Sequence, residues 1–326
     1  MKSAQTPTDL KDERIIEMIR NGFGATVCTL LQETEVTEIM LNDDGELWVE
    51  RLGHPMERVG TLAANKALAA INTVASFRKK CIDEKNPVLE TIMPLDGTSR
   101  FEALIPPIVK APVFSIRRHC SKIVTFDEYV ASGVISGWDR DTICERILKS
   151  DNILVSGGTG SGKTTLLNTL LAYAAHSFPN RRRVVMEDTP ELKRPAANCV
   201  MLRTSEVVDM LGLLRATMRL RPDAIDAGEV RDAAAHSLLK AWTTGHPGGF
   251  GTIHAKEGEL SGLWRLEQLV LESVALPMQP LIADAVGLLV NIQRTQKGRA
   301  ITGIISVDGF KNGEYQIRSL HKKERD

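Results

Sequence analysis

The sequence holds no apolar run approaching the ~18 residues of a membrane-spanning helix. Its opening stretch, Met1 to Lys11, is polar, without the apolar core of a signal peptide. Any membrane association is therefore expected to be peripheral. Charge of one sign is also lacking: 41 Lys and Arg face 41 Asp and Glu. That balance removes any global electrostatic case for wrapping nucleic acid or coating an anionic surface. No basic groove interleaved with aromatics is visible, so direct nucleic-acid binding is not predicted. The densest basic run, Arg181-Arg182-Arg183, reads as solvating the approach to a strand. Cysteines stand singly at 28, 81, 120, 144 and 199, with no C-x-x-C pair. This pattern argues against a zinc site or a disulfide frame, and reduced thiols in a cytoplasmic setting are expected. Internal repeats and low-complexity tracts are absent as well.

What is present is an ordinary globular composition, 43% apolar and 25% charged, in 326 residues, long enough for two cores. The chain is organised around Asn152 to Ala175. Ile153-Leu154-Val155 reads as a buried strand, and Thr165 to Ala175 has helical periodicity. Between them lies G-x-x-x-x-G-K-[ST], formed by Gly157, Gly158, Thr159, Gly160, Ser161, Gly162, Lys163 and Thr164, with Thr165 following. Glycines let backbone N–H groups converge on phosphate oxygens, and the helix start adds free donors and a positive dipole end. Lys163 is expected to reach the β- and γ-phosphates, and the Thr164 hydroxyl to ligate Mg²⁺. ATP and Mg²⁺ are the expected ligands.

Before this stretch the pattern is mixed. Ile15, Ile16, Met18 and Ile19 make a helical face that Gly22 and Gly24 interrupt. Asp43-Asp44-Gly45 joins two alternating strands, and Leu62 to Phe77 is helical. Thr125-Phe126-Asp127-Glu128 has capping-box spacing, Ser132 to Gly137 reads as a flexible boundary, and Asp139 or Asp141 is expected to start a helix. The division expected is thus residues 1–135, a smaller α+β domain, and 136–326. After the phosphate loop, strands and helices alternate: strands at 184–186, 200–202, 224–227 and 250–254, helices at 205–219, 232–242 and 257–272. Hairpins around Gln296-Lys297-Gly298 and Lys311-Asn312-Gly313 close the chain. The rhythm predicts an α/β fold, a RecA-like P-loop NTPase core with a parallel sheet covered by helices.

Hydrolysis needs a carboxylate near the metal, a group that positions water, and positive charge on the γ-phosphate. Glu187-Asp188 ends the strand after the phosphate-loop helix, and either residue suits the water-positioning role. Glu229, after the strand Ala224 to Ala227, occupies a Walker B position and is a second metal-side candidate. Gly245 to His254 contains four glycines, read as a mobile loop flanked by His246 and His254. Either histidine could report on the γ-phosphate.

GGTGSGKTT, MEDTPEL, RLRPDAIDAGEVRD and TTGHPGGFGTIHA resemble the Walker A, Asp-box, Walker B and His-box motifs of secretion ATPases. EIMLNDDGELWVERLG, GTSRFEALIPPIVKAPVFSIRR and RLEQLVLESVALPMQPLIADAV narrow the resemblance to TrbB-type conjugal-transfer ATPases of type IV secretion systems. The resemblance implies a two-domain protomer in a homo-hexamer, with nucleotide between the domains. It also implies a peripheral place at the cytoplasmic side of the inner membrane, among the inner-membrane components of the machine. Arg100 and Arg117 match positions where family members direct arginines at the nucleotide, and Arg203, Arg219 and Arg221 are alternatives. Sibling motors of type II secretion or type IV pili are the second reading, although the four-cysteine zinc module common in assembly members is lacking. A nucleic-acid translocase is the third.

One departure stands out. Asp226 replaces the usual Ile or Val of the family's Walker B strand. An unpaired carboxylate in a central strand costs several kcal/mol or raises its pKa. Asp226 must therefore face a polar partner or water, or the strand is weakened.

Overall fold

The computed structural model describes residues 7–51, 54–118, 123–205, 207–295 and 298–322. Cys120, Glu206 and the Gln296-Lys297 part of the expected hairpin turn lie outside the described residues. The chain divides into two compact units, Met1–Lys122 and Ile123–Asp326.

In the first unit, α1 (Pro7–Leu30) precedes β1 (Val36–Leu41), β2 (Glu46–Arg51) and β3 (Glu57–Thr61). Then come α2 (Ala64–Phe77), β4 (Val88–Ile92), β5 (Arg100–Leu104) and β6 (Val113–Arg117). The antiparallel sheet has the order β3-β2-β1-β6-β5-β4. Alternation puts Ile39, Leu41, Leu47, Val49, Phe101, Ala103, Phe114 and Ile116 into one core with α1 and α2. Phe23 of α1 meets Phe101 and Phe114 edge-on, with centroids 5.7 and 5.1 Å away. Gly24 leaves the helical path (φ 80°, ψ 173°), so the expected interruption is a kink in α1.

The second unit opens with α3 (Phe126–Ala131) and α4 (Gly137–Leu148), followed by β7 (Ile153–Gly157) and α5 (Lys163–Ser177). Next are β8 (Arg183–Glu187), β9 (Cys199–Arg203), α6 (Met210–Thr217), β10 (Ala224–Ala227), α7 (Ala234–Thr243) and β11 (Phe250–His254). The remainder is α8 (Ser261–Leu271), α9 (Gln279–Ala285), β12 (Leu288–Thr295), β13 (Gly298–Lys311) and β14 (Glu314–Ser319). The sheet order is β14-β13-β12-β7-β11-β10-β8-β9. β7 pairs in parallel with both β11 and β12, while β13 and β14 return antiparallel.

Both faces of this sheet are covered, which explains its near-continuous apolar strands. Ile153 and Val155 face a core with Leu166 and Leu170 of α5, whereas Leu154 faces Leu263, Leu266 and Ile282 on the other side. Phe126, Tyr129 and Ile135 belong to the α5-side core. The unit boundary accordingly falls before α3, upstream of the Ser132–Gly137 stretch that composition suggested. The capping box on α3 is formed, with Thr125 accepting from the Glu128 N–H. Ser136, rather than Asp139 or Asp141, caps α4. α6 is shorter than periodicity predicted, because Asp209 caps it and Ser205 bridges Val208 ahead of it.

Candidate nucleotide site

β7, β8, β10 and β11 all run the same way, so their carboxyl ends share one rim. The chain leaves β7 through α5 and returns at β8, beyond β11 and β10. That crossover makes a topological switch point, where open α/β sheets bind ligands. Gly157, Glu187, Ala227 and His254 are the last residues of these four strands.

The loop from Gly157 to Gly162 has the shape of a polyphosphate cradle. A Cβ on Gly157 would stand 2.2 Å from the Ile292 carbonyl oxygen, so no larger residue fits. Gly162 precedes α5 at φ 100° and caps it with no side chain, leaving the first helical N–H groups to a ligand. Lys163 is nine-tenths buried, and its Nζ donates to the Gly158 carbonyl at 2.8 Å. These features fit a bound nucleoside polyphosphate: main-chain donors, one ammonium and, at Gly157, no room for a side chain.

The carboxylates converge on one arginine. Arg231 donates to Glu229 Oε2 at 2.6 Å and lies 3.4 Å from Asp188 Oδ2. Burial alone would raise the Glu229 carboxyl. The hydrogen bond and charge of Arg231, with the Lys163 ammonium close by, outweigh it and hold the group below its ordinary value. Glu187 is differently engaged. It is buried, and its Oε2 accepts from the Glu191 and Leu192 amides, both at 2.9 Å. Burial pushes its carboxyl up despite those bonds and Arg203, whose Nε lies 3.5 Å away. Glu187 thus fastens the turn that follows Asp188.

Strand register separates the two histidines. His254 pairs with Gly157, and its Nε2 is 2.8 Å from the Thr159 hydroxyl. Burial first, then Lys163, hold its imidazole below the usual value and so favour the neutral ring. His246 lies before β11, whose first residue pairs with Ile153 at the amino end of β7. The five residues of β11 span roughly 13 Å, so His246 belongs to the opposite rim, where its Nδ1 meets the Ala241 carbonyl.

That opposite rim corrects two expectations. Arg183 does not solvate a strand approach. It is buried, forks onto Asp226 through Nε (2.9 Å) and Nη2 (2.5 Å), and lies over the Phe250 ring at 4.6 Å. Asp226 Oδ1 also accepts from the Phe250 N–H at 2.9 Å, which answers how a carboxylate sits in the Walker B strand. Nor do four glycines make the 245–251 segment loose. Arg181 donates to the Pro247 carbonyl, Arg183 to that of Gly248, and the Gly249 N–H to Asn152. A Cβ on Gly249 would meet the Ile225 carbonyl and the Trp242 indole nitrogen, each at 2.3 Å. Glycine here serves close packing.

Arg100 and Arg117 lie in the first unit, directly opposite each other across β5 and β6. Arg203 ends β9, and Arg219 and Arg221 follow α6 on an exposed stretch. Arg299 has no role in the sequence reading. Yet its Nε donates to the Gly160 carbonyl at 3.1 Å.

Residues 24–299 match the family described as type II/IV secretion system protein. A probable conjugal transfer protein TrbB of Sinorhizobium fredii is 46% identical over 94% of this chain and 94% of its own. The conjugal transfer protein TrbB of Rhizobium radiobacter is 44% identical over 96% of each. Among solved structures, the pilus retraction motor PilT with bound ADP superposes with a TM-score of 0.61, at 18% identity, covering 86% of this chain and 82% of its own. The Legionella pneumophila ATPase DotB gives 0.57 at 18% identity, covering 92% and 81%. Those two likenesses speak for the fold.

Proposed function

This chain belongs to the type II/IV secretion system protein family, with the TrbB-type conjugal transfer proteins, and from that premise we propose that it is the ATP-hydrolysing motor of a bacterial conjugative type IV secretion apparatus. The observation that carries the reading is the meeting of Lys163, His254, Glu229 and Asp188 around a glycine cradle at one rim of a parallel sheet.

In this reading, Gly157 to Thr165 grip the nucleotide, and the Lys163 ammonium exchanges the Gly158 carbonyl for β- and γ-phosphate oxygens. A phosphate oxygen is the stronger acceptor, since both partners of the bond are then charged. Glu229 stays ionised near neutrality and, with Asp188, orders the attacking water. Glu187 holds the turn that sets Asp188. His254 is neutral and bonded to Thr159 of the cradle, and so is placed to register whether the γ-phosphate is present. Arg100 and Arg117 are assigned the neutralisation of γ-phosphate charge. Among the described residues no group of three or more His, Cys, Asp or Glu could hold a metal by itself. A magnesium ion carried on phosphate oxygens needs only one or two protein oxygens, and Thr164 and Glu229 supply a hydroxyl and a carboxylate of that kind. Magnesium would there neutralise phosphate charge. No helix among the described residues is long and apolar enough to cross a membrane. The assembly proposed is a homo-hexamer held peripherally at the inner membrane by other components of the machine.

Phosphate release by the purified protein, measured beside plasmid transfer in cells lacking the native gene, tests this. Wild type should do both, Lys163→Ala neither, and EDTA should stop turnover until Mg²⁺ is returned. Wild-type turnover by Lys163→Ala would overturn the site assignment.

A further inference from the structure

β12 runs beside β7 with Asn291 opposite Ser156. Ile292 is then level with Gly157, the last residue of β7, and Gln293 to Thr295 continue past it beside the phosphate loop. The return strand β13 begins at Gly298, and Arg299 faces Arg294 across the hairpin. From there the Arg299 side chain crosses the loop. Its Nε donates to the Gly160 carbonyl at 3.1 Å, and a Cβ on Gly162 would meet its Cδ at 3.0 Å. Arg299 is solvent-exposed, so its guanidinium is accessible to a ligand in the loop.

Two cations thus rest on main-chain carbonyls of the same short loop, Lys163 on Gly158 and Arg299 on Gly160. Both carbonyls are weak, neutral acceptors for a charged donor. Like charges directly opposite each other in a hairpin are unfavourable, and Arg294 with Arg299 is such a pair. A polyanion in the loop relieves that repulsion and offers Arg299 charged oxygens in place of a carbonyl. We infer that Arg299 is a nucleotide-binding residue, a second phosphate-gripping cation supplied within the chain by the β12–β13 hairpin. Its partners are the inner phosphates of a nucleoside di- or triphosphate, since Lys163 takes the β- and γ-oxygens. This inference rests on the nucleotide-binding reading given above.

The experiment compares wild type, Arg299→Ala, Arg299→Lys and Lys163→Ala by calorimetric titration with ADP and with ATP, alongside the melting temperature of each nucleotide-free protein. Removing one charge-assisted contact weakens ADP and ATP alike by about 10- to 100-fold in Arg299→Ala, while the nucleotide-free melting temperature stays at the wild-type value. Arg299→Lys keeps the charge but loses the planar fork, and recovers part of the affinity. Affinity within twofold of wild type in Arg299→Ala, with Lys163→Ala impaired, overturns the role of the hairpin alone. A drop in the nucleotide-free melting temperature of Arg299→Ala that Arg299→Lys fully restores also overturns it, because Arg299 would then only buttress the loop. If wild type binds neither nucleotide, the functional reading fails and this inference falls with it.

Discussion

Two carboxylate–arginine pairs stand on and just beyond the same strand. Asp226 and Arg183 are 0% and 1% exposed, while Glu229 and Arg231 are 26% and 49% exposed. The chemistry is the same and the surroundings differ. The buried pair is held by a strand amide, a loop carbonyl and a phenyl ring, with Arg183 Nη1 left buried and unpartnered. The open pair shares its arginine with Asp188 and looks onto Lys163 and His254. A pair sealed from water fixes architecture, because separating its members strands a charge. A pair at the rim can part when phosphate arrives, because water or ligand replaces each partner.

The largest effect expected is on the sealed pair. Arg183→Ala or Asp226→Ala should lower stability by about 3–5 kcal/mol. Calorimetry should register this as a fall of roughly 10 °C in the melting temperature of a unit this size. Next comes the rim: Glu229→Gln should leave melting unchanged and lower turnover by about 10²- to 10³-fold. If it melts as low as the Arg183 variant, the contrast between the pairs is gone. Replacing both sealed partners together, Arg183→Met with Asp226→Leu, should restore all but about 1–2 kcal/mol of the single losses. The remainder reflects the Phe250 amide, left without its acceptor, and the Gly248 carbonyl, left without its donor.

A third pair sharpens the scale from the exposed end. Arg318 bonds Asp308, whose carboxyl is lowered to about 2 by that bond first and by Ser306 second. Its folded value lies below the unfolded one of about 3.9, so its contribution is present above pH ~4 and lost as pH falls through about 2. Exposure screens it. Asp308→Asn should therefore cost under ~1 kcal/mol at pH 7 and nothing at pH 1 in urea titrations.

These pairs also mark how far the sequence could be read. The phosphate loop was legible because its strand, glycines and helix are adjacent and each residue type has a local reason. The alternation of strands and helices was legible for the same reason, and so was the capping box on α3. Asp226 announced a missing partner but could not name it. Arg183 sits in an arginine triplet of surface-like composition and reaches Asp226 only because β8 and β10 pair in parallel. The choice between His246 and His254 likewise needed the register of β11 on β7. Gly249 looked mobile in a run of glycines, since composition does not show that Trp242 and Ile225 crowd it. Arg299 carried no signal at all, being an exposed arginine beside a hairpin turn.

The place of β7 in the sheet has a consequence for how the protein is made. Both of its neighbours, β11 and β12, leave the ribosome about a hundred residues or more after it does. At synthesis rates of about 5–20 residues per second, β7 waits roughly 5–20 s with two bare apolar edges. Nascent chains stalled in that window should be the ones that chaperones hold and that self-associate when released early.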